Sequence, residues 1–187
     1  MNTIAGGEAS VALGNSADAT MNFAIAIGND AQATQESVVA VGSGAQATGT
    51  DSTAVGNDAV ASGVESTSFG DGAVANTLDT TALGSGARAT ASNATAVGEA
   101  ANAFGQSSVA FGSNAFASGD GSALGRSTDA GTNATAVGNA AQATGRASVA
   151  VGRRAEASQR GAVAIGSGDA TGESAQATGE GLSLIHI

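Results

Sequence analysis

The chain of 187 residues contains no Cys, Pro, Trp, Tyr or Lys, only five Phe, and a single His. Without cysteine there is neither a disulfide framework nor a thiolate metal site. The one histidine, His186, lies at the very end of the chain, so Ser/His and metal-histidine arrangements are excluded. No apolar run is long enough to span a bilayer, and no secretory or transit signal is read at the start. A basic surface is missing too. Six Arg stand against 16 acidic residues, for a net charge of -10, which argues against a nucleic-acid partner. Large side chains are also scarce, because the 42% hydrophobic content is mostly Ala, beside 29 Gly. Such residues bring too little volume to fill a thick core at native packing density, so a thin architecture is expected.

What is present is a repeat. The phrase SVALGNSADAT, residues 10–20, returns in register along the chain. Its glycine falls at Gly14, Gly28, Gly42, Gly56, Gly70, Gly84, Gly98, Gly112, Gly125, Gly138, Gly152 and Gly166, at steps of 14 residues broken by two consecutive steps of 13. The residue before each glycine is large and apolar, from Leu13 to Ile165. Three before it the residue is β-branched in every copy except Ser122, and the residue between is Ala, once replaced by Ser68. That alternation predicts a short strand with two apolar faces. Three and five residues after the glycine stand alanines such as Ala17 and Ala19, with Thr128 as an exception and mostly polar residues between. This predicts a second, half-buried strand.

A period of 14 is also two heptads, but the large residues lie two apart, and a glycine in every copy costs a helix about 1 kcal/mol each. Collagen fails for want of proline and of a three-residue glycine period. The pattern that fits is all-β: a solenoid whose coil is strand, glycine turn, strand, second turn, stacked in parallel at about 4.8 Å per coil, hence a rod roughly 55 Å long. The glycines are expected where the turn needs positive φ or close backbone approach. The missing residues of the two short steps are expected in the second turn, within 118–121 and 131–134, because a deletion inside a strand would turn its side chains to the wrong face.

A 14-residue coil has one interior, whereas the first strand has two apolar faces. With the large column (Val11, Leu13 and equivalents) placed inside against the paired alanines, the stripe left outside is Ala12, Ala26, Ala40, Ala54, Ala82, Ala96, Ala110, Ala123, Ala136, Ala150 and Ala164. An apolar stripe of that length marks an interface, and the simplest partner is another copy of the chain. The opposite assignment, large column outward, demands a partner as well.

The phrases SVALG (10–14), SVAFG (108–112) and SVAVG (148–152), each followed by the AxA pair, resemble the head repeats of the trimeric autotransporter adhesins of Gram-negative bacteria, the YadA-like heads. The resemblance implies a left-handed parallel β-roll that forms a homotrimer, carried on a stalk and held in the outer membrane by a C-terminal anchor not contained in these residues. It implies a cell-surface location and non-enzymatic attachment to host extracellular matrix or cell-surface molecules, with no cofactor. On this reading residues 1–9 are a lead-in, 10–170 the repeat head, and 171–181 an irregular repeat with an insertion after Gly166. Residues 182–187, LSLIHI, fit nothing before them and are read as a non-native tail of an excised head segment.

No catalytic constellation is visible, since the acids occupy different repeat positions with no pocket to gather them. Gly-Asp pairs such as Gly70-Asp71 lack the nine-residue period of calcium-binding rolls, and Asn-Ala-Thr at 93–95 and 133–135 arises wherever Asn precedes the repeat's own Ala-Thr. A column containing Thr20, Thr34, Thr48, Ser62, Thr90 and Thr144 offers ice binding as the alternative, beside a purely structural solenoid; Asn76 and Phe104 interrupt it. Residues expected to face a ligand are Val60, Val74, Arg88 and Phe116, which stand in or relieve an otherwise polar outward column.

Overall fold

The computed structural model describes residues 3–167 and 174–185. These fall into two compact units, Met1–Asn93 and Ala94–Ile187. Each unit is a parallel β-solenoid, and no helix occurs among the described residues. In the first unit, three-residue strands from Val11–Leu13 through Val39–Val41 to Thr81–Leu83 form one parallel sheet. Two-residue strands from Ile4–Ala5 to Arg88–Ala89 form the other. The second unit repeats the plan from Thr95–Val97 and Asn102–Ala103 onward.

Register follows the repeat. Val11, Ala12 and Leu13 pair with Ile25, Ala26 and Ile27, fourteen residues on. The two short steps keep this phase: Val109 pairs with Ser122 and Ser122 with Thr135, while the shortened turns lie at Gly119–Asp120 and 132–133, in the second turn as expected. The expected insertion after Gly166 lies outside the described residues; on either side of them Glu156 pairs with Gln176 and Val163 with Ser183. Ser183–Ile185, within the segment read as foreign to the repeat, adds to the three-residue sheet in register, with Leu184 opposite Ala164.

The backbone ladder runs through the turns as well as the strands. The N–H of Gly28 donates to the carbonyl of Leu13 at 2.8 Å, that of Asp30 to Asn15 at 2.8 Å, and that of Ser37 to Asn22 at 3.0 Å. Asp30 and Ser37 both have positive φ, at 55° and 56°. Non-glycine residues are held in this conformation because coil-to-coil bonding on both sides fixes it.

The turn glycines meet both requirements foreseen for them. Gly42 has φ 138°, and a Cβ built on it would lie 2.1 Å from the carbonyl oxygen of Gly56 in the next coil. No side chain fits between these stacked glycines.

The core corrects the expected facing of the first strand. Ala26, Ala40, Ala54, Ala82, Ala96, Ala110, Ala123, Ala136, Ala150 and Ala164 have no exposed surface in the single chain, and Ala12, in an outermost coil, is partly buried. The alanine column is therefore the interior, facing Ala17, Ala19 and their equivalents, and it cannot be the outward stripe. The large column points out: Leu13 is 65% exposed, and Phe69 and Phe111 are 55% exposed each. Size decides this. The largest fully buried side chains are Val38, Thr80 and Thr128, so the space between the two sheets accepts little more than methyl groups.

Candidate functional site

With the alanines inside, each unit presents two outward faces. On the three-residue sheet the outward positions are the large column and its β-branched neighbour, for example Ile25 with Ile27 and Val39 with Val41 in adjacent coils. Threonine replaces the β-branched aliphatic at Thr53, Thr67 and Thr81, which pair in register. This stripe, not the alanine column, is the apolar surface left without a partner in a single chain.

On the two-residue sheet one residue per strand points out, because its alanine neighbour is buried. The expected ligand-facing residues all lie on this face. Val60, Val74 and Arg88 are direct neighbours on consecutive coils of the first unit. Phe116 stands in the second unit between Asn102 and Asp129. The column of Thr20, Thr34 and Thr48 follows these strands as a single line of residues broken at Asn76.

Two features of this region were not expected from sequence. Phe104 and Phe116, twelve residues apart, meet edge to face with ring centroids 5.6 Å apart and an interplanar angle of 68°, while remaining 43% and 37% exposed. Beside them, burial raises the carboxyl of Asp129 above its ordinary value of 3.8. A raised folded value means that the ionised form is the one the fold disfavours. Wild-type stability should therefore increase as pH falls through the raised value, and the effect is complete below 3.8, where the unfolded chain is protonated too. Asp129→Asn is accordingly expected to melt higher than wild type at pH 7 and to match it at pH 3. Melting curves at both pH values check this, and a lower melting point at pH 7 would contradict it.

A further column went unrecognised in the sequence. Four residues before the turn glycine, Ser52, Ser66, Thr80, Ser108 and Ser148 are fully buried. Their hydroxyls donate to backbone carbonyls, as in Ser66 to Gly63 and Ser108 to Gly105, both at 2.7 Å. Ser68 and Thr128, the two departures from the alanine columns, do the same toward Ala73 and Gly125, each at 2.8 Å. Each hydroxyl of these seven residues thus avoids the cost of an unmade bond. The signal was available, since this position is small or hydroxylated in nearly every copy.

At the turn corners, exposed amides link successive coils, Asn15 to Asn29 at 3.0 Å and Asn57 to Asp71 at 3.1 Å. Charge is unevenly divided. Residues 1–93 carry nine acids and Arg88, and residues 94–187 seven acids and five arginines, giving -8 and -2, which make up the total of -10. Among the described residues no pocket opens and no group of three His, Asp or Glu gathers. What the arrangement offers chemically is flat, repetitive surface.

The sequence was also compared with known families and proteins. No curated protein matches it. A family model does: the YadA head domain repeat matches residues 5–31, 19–45, 39–59, 47–73, 61–87, 89–115, 105–123, 130–155 and 143–168, which together cover most of the chain.

Proposed function

Since this chain belongs to the YadA head repeat family, we propose that it is the head of a bacterial surface adhesin, working as a homotrimer that attaches cells to host matrix or cell-surface molecules without catalysis. The observation that carries the reading is the outward apolar stripe on the three-residue sheet. Large aliphatic and aromatic side chains lie exposed or half-exposed from coil to coil, Leu13, Phe69, Leu83, Phe111, Leu124 and Ile165 the most, in a protein that otherwise places alanine inside. Burying each of them against other copies of the chain would contribute about 1.5 to 3 kcal/mol, an upper figure for such a thin fold. The two-residue sheet, with its variable outward column, then remains as the face available to a ligand.

The first experiment is sedimentation of the purified protein. A trimer of three 17.4 kDa chains, about 52 kDa, is expected. Val41→Asp, which would place a carboxylate from each copy in the interface, should dissociate it, because burying unpaired charge is costly. A wild-type chain that stays monomeric at high concentration would sink the reading. The second experiment measures binding of the trimer to immobilised collagen and other matrix proteins. Absence of binding to all of them would remove the adhesive part and leave a structural solenoid.

A further inference from the structure

The outward column of the two-residue sheet in the second unit runs Asn102, Phe116, Asp129, Gln142 and Glu156, neighbours in register on consecutive coils. It carries two carboxylates and no cation, for the five arginines of this unit occupy turn positions. Asp129 is the in-register neighbour of Phe116 on the next coil, so both side chains leave the same face of the sheet. The ring of Phe116 is steadied by Phe104 and still more than a third exposed.

We propose that this face docks a basic extended segment of a partner protein, with an arginine or lysine side chain lying over Phe116 against Asp129. Three observations converge on a cation. An exposed aromatic face attracts guanidinium and ammonium groups, more strongly once water is displaced. A carboxylate beside the ring supplies the counter-charge, and arginine can meet it with two parallel hydrogen bonds. Finally, any partner covering Phe116 also covers Asp129, whose carboxylate is already partly stripped of water. An apolar or anionic partner would leave that charge uncompensated, whereas a cation offsets the loss. A carboxylate whose ionised form burial disfavours, next to exposed rings, is the kind of local conflict expected at a binding surface.

The inference rests on the adhesin reading in taking the partner to be a protein and the two-residue sheet to stay free in the trimer. The test measures binding of a blocked peptide of four Gly-Arg repeats, with a Gly-Gln peptide as reference, at physiological salt. The proteins compared are the wild-type trimer, Phe116→Ser, Asp129→Asn, and Asp58→Asn, an equal charge change in the first unit. Wild type should bind the arginine peptide and not the glutamine one. Phe116→Ser and Asp129→Asn should each weaken it about fivefold, and Asp58→Asn should leave it nearly unchanged, with all four still trimeric. Equal losses in all three variants, or no binding by wild type, overturn the inference. A head that binds matrix proteins but ignores the peptide overturns it while the adhesin reading stands; peptide binding without any matrix binding does the reverse.

Discussion

Gly42→Ala is expected to cost about 3 to 5 kcal/mol, from strain at positive φ together with a forced separation of two coils. The added methyl would come within 2.1 Å of the Gly56 carbonyl oxygen and 2.5 Å of its carbon, both backbone atoms that the ladder holds in place. Neither neighbour can give way alone, since Gly56 stacks in the same manner on Gly70, at 2.3 Å from a hypothetical Cβ. The matched control is Gly72→Ala. Gly72 has φ 60° but nothing within 4 Å of a Cβ, and the corresponding positions of other coils already hold Ala100 and Ala140 at φ 53° and 55°. There only the left-handed backbone cost remains, about 1 to 2 kcal/mol. Because a solenoid's stability is a sum over neighbouring coils, the readout is local: thermal melting together with amide exchange should show loss of protection centred on residues 39–56 for Gly42→Ala and a far smaller change for Gly72→Ala. Equal effects of the two substitutions would mean that φ, not close approach, selects glycine.

The second large effect is expected at Ala40, which is fully buried between Ala26 and Ala54 of the adjacent coils. Ala40→Leu inserts three carbon atoms where the biggest buried neighbour type is valine, and should cost about 3 kcal/mol or more. Val41→Leu, one residue along the same strand but facing out, should change the melting point little, as Leu13, Leu83 and Leu124 already occupy that column. Parallel melts of the two variants decide the facing of the strand. A tolerated leucine at 40 with a damaging one at 41 would restore the arrangement first read from the sequence.

That reversal indicates what the sequence conveys and what it does not. Period, strand positions, turn glycines and the location of the two 13-residue steps were legible, because each leaves a mark at a fixed offset in every copy. Alternation also grouped Val11 with Leu13 and set Ala12 apart from them, but it is symmetrical about the sheet and says nothing of which side is inside. The usual rule that large apolar residues go in failed because the tight turns hold the two sheets too close for anything beyond alanine, serine or valine. Scarcity of large residues had already implied thinness; followed through, it would have put the alanines inside. The second turn was less legible. Phe23, Ser37 and Asp51 share a left-handed backbone at φ 58°, 56° and 57° with no residue type in common, since the ladder, not the side chain, imposes it. On the two-residue sheet, Phe116 could be assigned to the outward column by its offset from Gly112. Its contact with Phe104 could not, because that pair joins different columns of neighbouring coils.

The regular pairing step has a genetic reading as well. Fourteen residues are 42 nucleotides, so recombination between misaligned copies of the repeat adds or removes a coil while preserving the reading frame. The same exchange preserves register, because the coil gained or lost presents its predecessor's bonding pattern to its successor. A lineage can therefore lengthen or shorten such a stack in steps of about 4.8 Å, without inventing a new contact and without passing through a misfolded intermediate.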